Sequence, residues 1–344
     1  MKCSLLSIDL AKNIFQLCAL DAQHNVLFNK KVKRSNLIHE LRQIEPTFVV
    51  MEACYSANPW GRRIEKLGHN VKSIPPFLVK PFLIGNKNDA NDAIAEASLR
   101  PKVRFIGIKT IEQQDIQSLQ RIRELFVKQR TSTLNQARGL LAEYGEVCDK
   151  SPIKLMRAIP SILEHPDNEL TSITRAFISR LYEHITHLNQ QIDEVDTQLN
   201  ALVSTKADYK RLISIPGIGP IIAATVLASV PDIHSFKNGR QFAAWIGLTP
   251  SQHASGDTNR LGKITKRGNN ALRKLLIQGA RTVLNWCEGK EDNQSKWLQK
   301  LKERLHSCKS AVAFANKLAR TIWAVLSSKT MFDASKSCSG QKTA

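Results

Sequence analysis

Three shortages narrow what this chain can be. Its seven cysteines (Cys3, Cys18, Cys54, Cys148, Cys287, Cys308 and Cys338) form an odd, scattered set without a CxxC pair. That pattern argues against a disulfide framework and against a structural zinc site, so free thiols in a reducing cytosol are expected. No apolar run approaches the roughly 20 residues that a membrane-spanning helix requires. The longest, IIAATVLASV, falls well short, and MKCSLLSIDLAKN meets Asp9 before a leader-like core can form, so neither a signal peptide nor membrane attachment is expected. Acidic residues are the third shortage: 30 Asp and Glu face 50 Lys and Arg, a formal net charge of +20. Such a field favours polyanions, nucleic acid above all. At 344 residues there is chain enough for about two or three domains, each with its own core.

Strand-like runs dominate the beginning. KCSLLSIDLA, IFQLCALD and NVLFNKKVK, separated by the short breaks AKN and AQH, predict a three-stranded meander over residues 2 to 33. A helix near 35–44, a strand TFVVMEA, a helix near 58–67, a strand NVKSI and a helix through NDANDAIAEASL follow. The fold class expected is α/β over residues 1–105, with all-α beyond it: a helical linker and coiled coil over 106–205, a mainly helical domain over 206–330, and a disordered tail over 331–344.

Four acids stand out. In SLLSIDLA and FVVMEAC an acid follows a run typical of a buried strand, where an unpaired carboxylate costs several kcal/mol or titrates to neutral. Asp89 and Asp92 in KNDANDA lie three apart, on one face of a helix, where they repel. A pair of Mg²⁺ or Mn²⁺ ions would supply the missing counter-charge to Asp9, Glu52, Asp89 and Asp92, because hard divalent cations take carboxylate oxygens, activate water and stabilise phosphoryl leaving groups. Singly, each acid reads as a solvated strand end or helix face; jointly, in this element order, they read as a metal site.

Further along, residues 111–145 keep Ile116, Leu119, Ile122, Leu125 and Phe126 on one helical face. Pro152, Pro160 and Pro166 predict a loop-rich connector with one short helix over 150–172. Then Ile178, Leu181, Ile185, Leu188, Ile192, Val195, Leu199 and Leu202 repeat at alternating spacings of three and four, a heptad seam suited to a coiled coil, either between subunits, the preferred reading, or folded back on the preceding helix.

In the last third, LISIPGIGPIIAATVLASV reads as a helix-hairpin-helix whose Gly217 and Gly219 let backbone amides approach a phosphate. The alternative is a turn made only for packing. SQHASGDTNRLGKITKRGNNALRKLL reads as a polar, glycine-bearing loop entering an amphipathic helix, and its Arg260, Lys263, Lys266, Arg267, Arg273 and Lys274, with Arg281 beyond, suit phosphate contacts. Ser255 precedes Gly256 in that loop. On its own such a serine is turn chemistry, since a nucleophilic serine needs activation that spacing does not reveal.

Taken together, SIDLAK, VVMEAC, KNDANDA, IPGIGPIIAATVLA and GLTPSQHASGDTNRLGKITKRGNNALRKLL resemble the transposases of insertion-sequence family one-ten, its eleven-eleven subgroup in particular. The resemblance covers nearly everything except the tail. It implies a RuvC-like, ribonuclease-H-fold domain whose acidic tetrad is Asp9, Glu52, Asp89 and Asp92, and a second transposase domain in which Ser255 is the nucleophile. It further implies Mg²⁺ or Mn²⁺ as cofactor, DNA as substrate, a bridge RNA as guide and a homo-oligomer, dimer or tetramer. Ser251 offers a rival hydroxyl. Two other readings compete: a metal-dependent nuclease or junction resolvase without serine chemistry, and a non-catalytic nucleic-acid binder.

Overall fold

The structure, a computed structural model, describes residues 2–82, 93–101, 103, 105–230, 232–255 and 258–334, with the side chains of 254, 255, 258 and 259 left out. The chain divides into two compact units, Met1–Ile111 and Glu112–Ala344.

The first unit is built on a six-stranded sheet. Its elements are β1 (Leu5–Leu10), β2 (Ile14–Leu20), β3 (Val26–Lys33), α1 (Leu37–Arg42), β4 (Phe48–Glu52), α2 (Ala57–Glu65), β5 (Asn70–Ile74), α3 (Pro76–Val79), α4 (Ala93–Ser98) and β6 (Ile106–Gly107). The order across the sheet is β3-β2-β1-β4-β5-β6. β1, β2 and β3 form the expected antiparallel meander, β1, β4 and β5 run parallel, and β6 adds a short antiparallel edge. The opposite edge, β3, carries Lys30, Lys31 and Lys33, charges that discourage edge-to-edge pairing.

Period-two alternation assigns each face its cover. Leu6, Ile8, Leu10, Phe15, Leu17, Val49 and Met51 meet α1 and α2 through Leu37, Leu41, Trp60 and Ile64. Leu5, Cys18, Leu20, Val50 and Ile74 meet Val79 of α3 and Ala93, Ile94, Ala95 and Ala97 of α4.

The second unit is mostly helical: α5 (Ile111–Glu143, its first residue belonging to the first unit), α6 (Pro152–Glu164), α7 (Ser172–Val203), α8 (Ala207–Ile213), α9 (Pro220–Ser229), α10 (Gly239–Ile246), β7 (Pro250–Ser255), β8 (Thr258–Ile264), α11 (Asn270–Asn285), α12 (Asn293–Arg304) and α13 (Ser307–Ser328). One core gathers Val226, Phe242, Leu272, Leu276, Phe314, Leu318 and Ile322 with Val195 and Leu199 of α7.

Three expectations need correction here. Residues 150–172 are not loop-rich: Pro152 sits in the first turn of a 13-residue helix capped by Ser151, with Pro160 inside it. A first-turn proline gives up no hydrogen bond, Leu155 and Ile159 are fully buried, and Arg175 binds the helix's closing carbonyls at Ile162, Leu163 and His165. The heptad seam is filled by the chain itself: Ile178 and Ile185 pack with Leu134 and Leu141 of α5, Leu188 and Ile192 are also buried, and Arg123 holds both Asp196 oxygens. The preferred between-subunit reading of that seam therefore falls. The segment around Ser255 is not a loop but a two-stranded ribbon, β7 with β8. Among the described residues no helix is long and apolar enough to cross a membrane, and Cys3, Cys18, Cys54, Cys148, Cys287 and Cys308 form no disulfide.

Candidate functional site

Asp9 is the fifth residue of LLSIDL and Glu52 the last of FVVME. Alternation puts Asp9 on the face of Leu5, and Glu52 on the face of Val50, which is the face covered by α4. The parallel register pairs Ile8 with Met51, so one step further along Asp9 stands beside Glu52 at the carboxyl ends of adjacent strands. Burial pushes the Asp9 carboxyl above its ordinary 3.8. Glu52 rises above its ordinary 4.5, first through burial and then through the negative charge of Asp9. Among the described residues neither has a cationic partner. A positive charge beside the two carboxylates would favour the ionised form of both and offset the repulsion that Asp9 exerts on Glu52.

Asp89 and Asp92 lie outside the described residues. Ala93, next after Asp92 in sequence, is the first residue of α4, and α4 packs on the face that carries Asp9 and Glu52. Among the described residues no group of three or more His, Cys, Asp or Glu side chains could hold a metal ion. The acids that are described, hard oxygen donors without a counter-charge, fit Mg²⁺ or Mn²⁺.

In the second unit Ser255 closes β7 and pairs in register with Thr258; only its backbone is described. The rival Ser251 is already engaged, its hydroxyl donating to the Lys263 carbonyl at 3.1 Å. His253 stands opposite Arg260 across the ribbon, and both are exposed.

The basic residues separate by environment. Arg260, Lys263, Lys266 and Arg267 are exposed on β8 and its exit. Lys274, also exposed, lies 3.5 Å from Glu124. Arg273 departs from its expected role: only 7 % exposed, it donates to the carbonyls of Ile246 at 2.9 Å and Arg267 at 3.4 Å, and to Asn270 Oδ1 at 2.7 Å. It closes the carboxyl end of α10, where a cation complements the helix dipole, and has no head group left for a phosphate. Arg281 leans on the Cys308 sulfur at 3.8 Å.

The hairpin glycines separate likewise. Gly217 has φ +91° and backs onto α11: a Cβ there would lie 2.9 Å from Val283 Cγ2, and one on Gly279 would lie 2.1 Å from Gly217 O. Its conformation serves helix packing. Gly219 caps α9, and a Cβ there would meet nothing within 4 Å. The feature unread in the sequence is Gln16, directly opposite Asp9 on β2; only strand register singles it out.

Residues 6–146 match a transposase profile of the DEDD type defined on IS110 elements, and residues 209–296 match the profile described as Transposase IS116/IS110/IS902 family. The chain is 42% identical over 324 residues to the transposase of insertion sequence IS1111A from Coxiella burnetii, covering 94% of this chain and 89% of that one. It is 41% identical over 335 residues to a "Probable family 20 transposase" of Pseudomonas aeruginosa, covering 96% and 99%, and 35% identical over 331 residues to the IS1328 transposase of Yersinia enterocolitica, covering 96% and 98%. With both profiles placed on the units that carry the acids and the ribbon, the chain belongs to the IS110/IS116/IS902 family of insertion-sequence transposases.

Proposed function

We propose that Asp9, Glu52, Asp89 and Asp92 hold Mg²⁺ or Mn²⁺ in a RuvC-like domain, and that Ser255 is the nucleophile with which this transposase cuts and rejoins DNA. The observation that carries the reading is the Asp9–Glu52 pair: two strand-end carboxylates on neighbouring parallel strands, both displaced toward protonation, with no cationic partner among the described residues. A sheet of order β3-β2-β1-β4-β5 with an antiparallel meander and a parallel centre supports the ribonuclease-H-like assignment.

Asp9, Glu52, Asp89 and Asp92 would hold the cations, which would supply positive charge to a developing oxyanion. The Ser255 hydroxyl gives its proton to water, its oxygen bonds to a DNA phosphorus, and one bridging oxygen leaves with the bond's electron pair and takes a proton from water to become a strand-end hydroxyl. The phosphoserine linkage conserves the phosphodiester, so attack by a strand-end hydroxyl restores DNA and frees the serine without ATP. The engagement of Ser251 with Lys263 supports Ser255 as the reacting hydroxyl. Arg260, Lys263, Lys266 and Arg267 suit the backbone of the element ends, of the target or of a bridge RNA, and a dimer or tetramer is the working assembly.

The test uses the full chain with the element's own end DNA and the RNA transcribed beside its gene. Wild type yields a denaturant-stable protein–DNA adduct in Mg²⁺; Ser255→Ala yields none, and Asp9→Asn forms neither adduct nor product. Strand transfer by Ser255→Ala at the wild-type rate would falsify the nucleophile assignment in favour of a plain metal-dependent nuclease or resolvase. Undiminished Mg²⁺-dependent processing by Asp9→Asn would remove the metal site.

A further inference from the structure

Strand register builds a polar row across the sheet. Lys31 of β3 pairs with Gln16 of β2, Gln16 pairs with Asp9 of β1, and Asp9 stands beside Glu52 of β4. Directly opposed residues of antiparallel strands project from one face with Cβ atoms about 4.5–5.5 Å apart, so Gln16 is the cross-strand neighbour of Asp9 on β2. Its amide nitrogen donates to Asn29 Oδ1. Its carbonyl oxygen, Oε1, is buried and has no hydrogen-bond partner among the described residues.

A buried amide oxygen left unpaired costs about 1–3 kcal/mol, and such atoms are rare in native proteins unless a ligand, ion or water completes them. Replacing Gln16 by an apolar residue would remove that cost, since the neighbouring side chains of this face include Cys18 and Leu20 in the apolar cluster. A neutral oxygen next to a carboxylate pair suits one task. It accepts a hydrogen bond from water, adding no third negative charge to acids that already repel. Mg²⁺ and Mn²⁺ retain several waters when held by a few carboxylates, and outer-shell acceptors orient those waters and the ligands behind them.

Resting on the metal reading above, we infer that Gln16 is a positioning residue of the cation site, its Oε1 accepting from a water of the ion held by Asp9 and Glu52. Asn29 fixes the amide so that the oxygen, not the nitrogen, is the free end. The inference names a residue outside the acidic tetrad, on a strand that contributes none of the four acids.

The probe is Mn²⁺ alone, titrated into the full-length protein and read by the loss of free-ion electron paramagnetic resonance signal. Wild type binds, and Asp9→Asn loses binding. Gln16→Leu weakens the ion by about tenfold or more, the range typical of outer-shell loss, while Gln16→Glu, which keeps an acceptor oxygen, stays within a few-fold of wild type or tighter. Circular dichroism melting accompanies each variant; if Gln16→Leu melts early, Gln16→Met, similar in length and equally without a hard acceptor, takes its place and the same tenfold loss is expected. Equal Mn²⁺ affinity in wild type and in the folded Leu or Met variant overturns the role of Gln16 and leaves the tetrad standing. Absence of Mn²⁺ binding in wild type, or binding unaffected by Asp9→Asn, overturns the metal reading and this inference with it.

Discussion

Asp9 answers to two opposed demands. Burial disfavours its charge, yet a cation site needs it ionised. For an acid whose folded value lies above the unfolded one, folding favours the protonated form; that stabilisation is complete below the ordinary 3.8 of Asp9 and 4.5 of Glu52 and is lost as pH rises through the raised folded values. Metal-free Asp9→Asn should therefore melt above metal-free wild type at pH 8, with the gap closing toward pH 4. Mg²⁺ should raise the wild-type melting temperature at pH 8, and the variant's little. Melting curves across that pH range check both, and a variant less stable than wild type at pH 8 without metal would show that the carboxylate is not held at a cost. At this scale the strand-end positions of Asp9 and Glu52 were legible because an acid ending an apolar run is conspicuous in any sequence. Gln16 was not: a glutamine in IFQLCALD is ordinary until β2 is set in register against β1. Arg273 was misread for a related reason, since KRGNNALRKLL presents a run of cations and nothing local shows which one turns inward to bind the Ile246 carbonyl.

Helices and turns tell a similar story. The prolines of 150–172 look like breakers in the sequence, but Pro152 occupies the first turn, Pro160 is tolerated inside a helix whose far end is held from α7, and Pro166 falls just beyond that helix. Arg175 donates to Leu170 O, Ile162 O, Leu163 O, His165 O and Asn168 Oδ1. Arg175→Ala should destabilise the second unit by about 1.5–3 kcal/mol, the worth of charged hydrogen bonds, measurable by urea unfolding; a loss below about 0.5 kcal/mol would deny the clamp. Where α11 crosses the hairpin before α9, Gly279 and Gly217 bring two backbones together. Gly279→Ala should cost roughly 1–3 kcal/mol by overpacking, while Gly219→Ala, with open space around it, should leave the melting temperature nearly unchanged.

The whole molecule carries a net charge of +20, and its use depends on which cations remain exposed. Lys263→Ala and Lys266→Ala should weaken DNA binding and each lower the slope of log affinity against log salt by about one, with folding intact. Arg273→Ala should instead lower the melting temperature. Fluorescence anisotropy over a salt series, beside thermal melts, separates the two classes; a reduced salt slope for Arg273→Ala in a fully folded protein would overturn its placement. The sequence by itself determined the α/β beginning, the helical remainder and the family, because strand alternation, heptad spacing and short motifs are local patterns carried by consecutive residues. Which partner fills the seam, which arginine is buried, whether the ribbon around Ser255 is strand or loop, and which side chain faces Asp9 were decided only by tertiary structure. Register and packing join residues far apart in the chain, and no local pattern encodes that pairing.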